Sequence, residues 1–302
     1  MKNLTNDQWL KEKSKGIGGS EIATILGLND YQTPYDLWEL KTGKREPEEV
    51  NEAMQNGHYL ELAISAYFEK ETEKKINQES IGNVFYVDKE KPYFIGSPDR
   101  LYEDNKVLEC KSTSMNVDKD DIPDNWYAQL QWYLMVTESD SGAIAWVSSH
   151  GGRNHFDHVF VEKDSDYIAY MREKAEKFWL ENAVKDVPPE PVNGEDTEKM
   201  YPREEEGKEV GAEPEIMELY NELVDLNEQK KEAEARINEI KDHIKKQFGD
   251  AEKMTYFGDV LFTWKKSKDS VQFDKKEFEK QKPELYKQFL KPKKGSRRLL
   301  IK

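Results

Sequence analysis

The chain has 302 residues, 36% of them hydrophobic, which suits one large domain or two medium ones, and its formal net charge is −15. Its single cysteine, Cys110, excludes a disulfide framework and any four-cysteine metal site. No apolar run is long enough to span a membrane and no signal peptide is recognised, so we expect a cytoplasmic protein without membrane contact.

The first predicted elements flank a glycine-rich turn. Residues 5–15 are expected to be helical, and the turn Gly-Ile-Gly-Gly-Ser follows over 16–20. Apolar residues at helical spacing predict a second helix from Ser20 to Gly27. Ser20 has two interpretations: it is an N-cap, the common use of a serine there, or it binds a phosphate together with the free amides of the helix start.

Two further helices are predicted before the first strands. Threonine and proline at the start of 33–43 are typical of an N-cap and a first helical position, and a glycine ends the segment. A longer helix is predicted over 48–73. Gly57 and Glu61 are four residues apart and therefore share a face of that helix. Glu61 is either an exposed glutamate or a carboxylate beside a space that Gly57 leaves open.

A β-hairpin is predicted over residues 95–111, with a three-residue turn at 103–105. This register places Asp99 opposite Glu109 on neighbouring strands, and the alternation of side chains puts Lys111 on the same face. Two carboxylates held so close repel each other unless a cation lies between them, and Mg2+ commonly uses one or two protein carboxylates. The alternative is a surface hairpin with scattered charges.

Regular structure is predicted to continue to residue 185. A helix over 125–137 contains Gln129 among aromatic residues, which is typical of a buried hydrogen-bond network. Strands are expected at 143–148 and 155–162, and a final helix at 164–185. Residues 1–185 should therefore form a core domain.

The composition changes at residue 186. Residues 186–213 are acidic and proline-containing, and we expect a linker or wrapping loop. The accessory region 214–302 should contain a long helix, a hairpin over 252–267, a helix over 278–289 and a short basic strand over 296–301. Its long helix carries a heptad seam that predicts packing against another helix; the seam consists of Ile216, Leu219, Leu223, Leu226, Lys230, Ala233, Ile237, Ile240 and Ile244.

Several motifs together resemble a known family. They are Ile-Gly-Gly-Ser-Glu at 17–21, Gly-x-x-x-Glu at 57–61, Pro-Asp at 98–99, Glu-Cys-Lys at 109–111 and the helical Gln129. In this order they resemble the YqaJ branch of the PD-(D/E)xK nuclease superfamily, the phage-type recombination exonucleases related to lambda exonuclease. The resemblance spans roughly residues 9–182. It implies an α/β fold with a restriction-endonuclease-like core, a mixed sheet flanked by helices.

The resemblance also implies roles for individual residues. Metal ligands would be Glu61, Asp99, Glu109 and the carbonyl of Cys110, with Mg2+ as the cofactor and Mn2+ able to substitute. Catalysis would also use Lys111 and Gln129, which position and activate the attacking water. The 5′-phosphate of a DNA end would be bound by Lys13 and Ser20, with lysine in the place of the family's usual arginine.

By resemblance the chain is expected to be a 5′-to-3′ double-strand DNA exonuclease. Its substrate would be a double-stranded DNA end, its product a 3′ single strand for a RecT-type annealing protein, and its assembly a ring trimer. The first alternative is a PD-(D/E)xK endonuclease that needs no DNA end. The second is a catalytically silent scaffold in which the heptad helix is the working part.

Overall fold

The computed structural model describes residues 2–3, 12–47, 52–78, 84–292 and 295–301. The chain divides into two units, Met1–Met200 and Tyr201–Lys302. Most of the helix expected over 5–15, and the first residues of the helix expected over 48–73, lie outside the described residues.

The first unit alternates helices with strands. In chain order its elements are β1 (Lys2–Asn3), α1 (Gly19–Ile25), α2 (Pro34–Lys41), α3 (Glu52–Thr72), β2 (Val84–Val87), β3 (Ile95–Gly96), β4 (Arg100–Tyr102), β5 (Lys106–Thr113), α4 (Asp124–Thr137), β6 (Ser141–His150), β7 (Arg153–Glu162), α5 (Ser165–Lys177), a π-helix (Phe178–Ala183) and α6 (Gly194–Met200). The helix predicted over 125–137 and the two strands after it are confirmed, the strands being longer than expected.

Strands β4, β5, β6 and β7 form a sheet in that order. β4 and β5 are antiparallel, with Arg100 paired to Leu108 and Tyr102 to Lys106, so the predicted hairpin and its three-residue turn are confirmed. β5 and β6 are parallel, and α4 forms the crossover between them. β6 and β7 are antiparallel. The predicted mixed sheet is therefore present.

A helix covers each face of this sheet. Val107 of β5 belongs to the same buried cluster as Leu130 and Leu134 of α4. Its neighbour Leu108 belongs to a second cluster with Ile64 and Phe68 of α3. Because side chains alternate along a strand, β5 presents residues 107, 109 and 111 to α4, and 108 and 110 to α3.

The strand that precedes the hairpin is interrupted, unlike the sequence prediction. Ile95 and Gly96 form β3, which pairs with β2 and not with β5. Ser97 to Asp99 then lead into β4, so the chain changes sheets just before the hairpin that carries Asp99 and Glu109. Phe94 forms a parallel bridge with Ile17, which brings the glycine-rich turn at 16–20 beside this break.

Part of the segment expected as a linker is the helix α6, which packs against the start of α2 within the first unit. Asp196 of α6 is fully buried and accepts a hydrogen bond of 2.8 Å from the Thr33 hydroxyl. Lys199 of α6 forms an ion pair of 2.8 Å with Asp36 in the first turn of α2. These contacts extend the first compact unit to Met200.

The second unit contains α7 (Pro214–Phe248), a hairpin of β8 (Lys253–Tyr256) and β9 (Asp259–Thr263), α8 (Lys275–Gln281) and α9 (Pro283–Gln288). The predicted long helix and hairpin are confirmed. The single helix expected over 278–289 is two short helices, and the strand expected over 296–301 is wrong, because 295–301 is irregular. Among the described residues, no helix combines the length and apolar character that crossing a membrane requires.

Candidate active site

The hairpin brings the two predicted carboxylates together at the edge of the α4 face. Continuing the register of β4 and β5 places Asp99 opposite Glu109. Oδ2 of Asp99 accepts a hydrogen bond of 2.8 Å from the backbone N–H of Cys110. This bond fixes the Asp99 side chain across the strands, while the Cys110 side chain points to the opposite face and packs with the α3 cluster.

Lys111 and Gln129 join the carboxylates through direct contacts. Nζ of Lys111 lies 2.8 Å from Oε1 of Glu109 and donates to Oε1 of Gln129 at 2.8 Å. Nε2 of Gln129 donates to Oε1 of Glu109 at 2.7 Å and to the hydroxyl of Tyr133 at 3.1 Å. Glu109, Lys111 and Gln129 therefore form a closed network between β5 and α4.

Glu61 approaches the same carboxylates from α3, and two basic side chains contact it. Oε2 of Glu61 lies 3.7 Å from Nη1 of Arg100, and Oε1 lies 2.9 Å from Nδ1 of His58. Arg100 is 6% exposed and also donates to the backbone oxygen of Asp99. The guanidinium thus links Glu61 to the strand that carries Asp99.

Burial and mutual repulsion dominate the electrostatics of this cluster. Burial raises the pKa of Asp99 well above its ordinary value, and the charges of Glu109 and Glu61 raise it further. Burial also raises the pKa of Glu109, although Lys111 opposes the shift. For Lys111, burial by itself would lower the pKa, but the charges of Glu109 and Asp99 outweigh it and raise the value. The cluster therefore favours added positive charge.

The donor set fits a hard divalent cation. Oε2 of Glu109 is buried and has no hydrogen-bond partner, and an unsatisfied anionic oxygen is a favourable ligand for such an ion. Asp99 and Glu109 offer two carboxylates, a number that suits Mg2+, which commonly takes one or two from a protein. Within the described parts of the chain, no three His, Cys, Asp or Glu side chains are arranged as a ready-made metal site.

The glycine-rich turn lines a small cavity next to the carboxylate cluster. This cavity, of about 40 Å³, is lined by Lys13, Gly18–Ser20, Ser97 and Tyr133, together with apolar residues. This volume exceeds the roughly 10–15 Å³ that a single water needs, so a small polar group fits. Only Pro98 separates Ser97 from Asp99 in the sequence, which places the cavity beside the carboxylates.

The helix behind this cavity begins differently from the prediction. α1 starts at Gly19, and its N-cap is Gly18, so the interpretation of Ser20 as an N-cap is wrong. Instead, the carboxylate of Glu21 accepts a hydrogen bond of 2.9 Å from the Gly18 N–H. Ser20 occupies the first turn of the helix, and its exposed side chain is accessible from the cavity.

A buried ion pair supports the same turn. Nζ of Lys41 lies 2.8 Å from Oε2 of Glu21, and the two side chains are 4% and 12% exposed. Lys41 also donates to the backbone oxygen of Lys13 at 3.0 Å. Burial lowers the pKa of Lys41, although the charge of Glu21 opposes that shift. Lys41 therefore ties the segment that carries Lys13 to the start of α1.

Sequence reasoning missed Arg100 and Ser97. Arg100 was passed over because a charged residue beside a turn is usually exposed. Two residues could have been found from their positions in the sequence. Ser97 lies two residues before Asp99, and Glu21 directly follows the glycine-rich turn.

The mixed sheet and its flanking helices form an α/β core with the PD-(D/E)xK fold, and the Asp-Glu-Lys cluster lies on its α4 face. Residues 8–140 match the family model of the YqaJ-like viral recombinase domain. The resemblance predicted from the motifs is thereby confirmed over these residues.

Individual relatives agree with this assignment. The uncharacterized protein YqaJ of Bacillus subtilis (strain 168) is 29% identical over 294 residues, which cover 94% of this chain and 90% of the relative. An alkaline exonuclease, LHK-Exo of Laribacter hongkongensis, superposes with a TM-score of 0.49 at 18% identity, over 60% of this chain and 94% of that one. LHK-Exo in complex with dAMP gives a TM-score of 0.50 at 17% identity with the same coverage and shares the fold.

Proposed function

We propose that this protein is a Mg2+-dependent exonuclease that digests the 5′ strand of linear duplex DNA. The observation that carries the proposal is the cluster of Asp99, Glu109, Lys111 and Gln129 on one face of the sheet. In it an amine and an amide are held within hydrogen-bond distance of Glu109 Oε1. An attacking water placed there would have both an acceptor and an orienting donor.

Asp99, Glu109 and the backbone of Cys110 would hold the cation, and Glu61 would approach it from α3. The cation, when bound, supplies charge stabilisation for the phosphodiester and eases deprotonation of water. The protein side chains do the rest of the positioning. Lys111 holds Gln129 and Glu109 in place, and the buried hydrogen bond from Cys110 N–H holds Asp99.

The small cavity at the glycine-rich turn supports recognition of a DNA end. The cavity has room for a small polar group, and a terminal phosphate presents anionic oxygens. Lys13 and Ser20 would offer a cation and a hydroxyl to them, since both line the cavity. The position of Ser97 next to Asp99 would bring the first phosphodiester of the strand towards the carboxylates.

The resulting 3′ single strand would pass to a RecT-type annealing protein in a bacterial or phage-infected cytoplasm, as the family resemblance implies. A homo-oligomer, a ring trimer by the same resemblance, would keep the enzyme on its duplex. These partners extend the proposal and rest on the resemblance alone.

The test uses linear duplexes labelled at either 5′ or 3′ ends and a covalently closed plasmid, with and without Mg2+. We expect the linear substrates alone to be degraded, from the 5′ ends. Asp99→Asn, Glu109→Gln and Lys111→Met should each lower the rate by about a thousandfold or more, because several kcal/mol of transition-state stabilisation are lost. Asp104→Asn, in the exposed turn of the same hairpin, is the matched control and should remain active.

Cleavage of the closed plasmid would favour the endonuclease alternative. Full activity in folded Asp99→Asn or Lys111→Met protein would remove the cluster from the active site. Absence of cleavage under all conditions would favour the scaffold.

A further inference from the structure

Tyr133 lies between the carboxylate cluster and the small cavity lined by Lys13, Ser20 and Ser97. We call this cavity the end cavity, after its proposed role. Its ring packs directly against two glycines: a Cβ atom on Gly19 would lie 2.4 Å from its Cε1, and one on Gly96 would lie 3.1 Å from its Cδ1. These approaches are possible only because both positions lack a side chain. The ring is therefore held between the first residue of α1 and the end of β3. Tyr133 is 5% exposed.

The Tyr133 hydroxyl completes the hydrogen bonding of Gln129. The Gln129 carbonyl accepts from Lys111 at 2.8 Å, one N–H donates to Glu109 at 2.7 Å, and the same nitrogen donates to Tyr133 at 3.1 Å. A primary amide has two N–H donors, so these contacts use both of them. Without the hydroxyl, one donor would be left unsatisfied and the orientation of the amide would be less well defined.

The same hydroxyl belongs to a residue that lines the end cavity. A neutral phenol accepts and donates at the same oxygen. While the oxygen accepts from Gln129, its proton is suited to an anionic oxygen within the cavity, such as that of a terminal phosphate. Hydrogen bonds to charged acceptors are the stronger ones, so such a contact would favour phosphate over hydroxyl.

We propose that Tyr133 is a positioning residue that couples recognition of the terminal phosphate to the orientation of Gln129. The inference rests on the proposed function and deepens it. A phosphorylated end would raise kcat as well as affinity, because the phosphate and Gln129 share one hydroxyl group. Tyr133 itself need not contact the scissile bond.

The experiment compares Tyr133→Phe with wild-type protein on duplexes that differ only in a 5′-phosphate or 5′-hydroxyl. The variant keeps the ring and its glycine contacts, so the fold should be preserved. We expect the ratio of kcat/KM values for phosphate over hydroxyl ends to fall about tenfold, the loss of one hydrogen bond to a charged group. In Ca2+, fluorescence anisotropy of the same duplexes should show a parallel fall in the affinity ratio without turnover.

The control and the double variant isolate the coupling. Tyr127→Phe removes another hydroxyl from α4, one that donates to Asp164 at 3.3 Å, away from the cluster, and should leave the ratio unchanged. In a Gln129→Ala background, Tyr133→Phe should have no further effect on kcat but should still reduce the affinity ratio.

An unchanged end preference in folded Tyr133→Phe protein would overturn the coupling, as would additive effects of the two substitutions on kcat. A wild-type enzyme that cleaves both ends at equal rates would refute the end cavity and Tyr133 together, while leaving the nuclease assignment intact. A wild-type protein that neither cleaves nor prefers phosphorylated duplex in Ca2+ would refute the proposed function and the coupling alike.

Discussion

At the scale of single residues, the candidate site combines a local strand register with contacts between distant segments. The pairing of Asp99 with Glu109 follows from a three-residue turn, and the position of Lys111 from the alternation of side chains. The contacts of Tyr133 with Gly19 and Gly96 bring together three distant segments. A glycine in the sequence does not reveal what it makes room for, so this part of the site could not be predicted.

Cys110 provides a prediction at this scale. Its side chain is buried on the α3 face, away from the carboxylates, and burial raises the pKa of its thiol well above the ordinary value. Only its backbone is expected to serve the site. Cys110→Ala should therefore retain activity within about threefold, and a thiol reagent at pH 8 should not inactivate the native enzyme.

Rates on linear duplex DNA and the extent of alkylation check this expectation. Cys110→Asp is the informative contrast, because it buries a charge in the apolar cluster under α3 and should reduce the thermal stability. Loss of activity in a folded Cys110→Ala protein would mean that the sulfur itself takes part in the site.

At the scale of elements, the sequence predicted which segments are helical more accurately than it predicted the first residue of each helix. α2 begins after Thr33 as its sequence indicates, with reciprocal bonds between Thr33 and Asp36. α1 begins one residue earlier than expected because Glu21, held by Lys41, caps the Gly18 N–H. Serine is a common N-cap residue, but the ion pair between Lys41 and Glu21 holds Glu21 where it accepts the Gly18 N–H instead.

The acidic group at the start of α2 gives a pH-dependent prediction. Burial alone would raise the pKa of Asp36, but the hydrogen bonds from Lys199 and Thr33 and the charge of Arg45 outweigh it and lower the value. A carboxyl whose folded pKa is lowered stabilises the fold at pH values above its unfolded pKa of about 4. That stabilisation is lost as the pH falls through the folded pKa.

Asp36→Asn should therefore destabilise the protein by about 1.5–3 kcal/mol at pH 7, the value of hydrogen bonds to a charged group. The difference from wild type should shrink as the pH falls below about 4. Thermal midpoints over that pH range measure it, with Asp30→Asn, an exposed neighbour, as the control. A difference that stays constant down to pH 3 would show that the charge of Asp36 does not stabilise the fold.

At the scale of the whole molecule, the sequence indicated a nuclease core followed by an accessory region, but not how far the core unit reaches. The change in composition suggested an end at residue 185, whereas the compact unit runs to Met200. The reason is a contact between Thr33 and Asp196, which lie 163 residues apart. The order of strands in the mixed sheet was equally inaccessible, because pairing between distant strands leaves little local trace.

The extent of this unit predicts the behaviour of a truncated chain. A fragment of residues 1–200 keeps Asp196 and Lys199 and should fold and retain Mg2+-dependent cleavage. A fragment that ends at residue 190 loses both contacts and should be less stable. Thermal unfolding and cleavage of a linear duplex compare the two. Equal stability of both fragments would mean that α6 adds nothing to the core.

The second unit provides the last prediction, which concerns assembly through α7. Seam residues Leu223 and Ile237 are 41% and 48% exposed on a helix of 35 residues. A heptad seam of this length normally buries its apolar positions against another helix, so we expect α7 to mediate self-association.

Leu223→Asp together with Ile237→Asp should weaken association by about a thousandfold, the effect of roughly 4 kcal/mol. Sedimentation over a range of concentrations measures it, and Lys231→Asp, which adds the same side chain off the seam, is the control. The cleavage rate per chain at saturating short duplex should be unchanged, since the carboxylate cluster lies entirely in the first unit. If the double variant sediments like wild type, the seam is not an assembly surface.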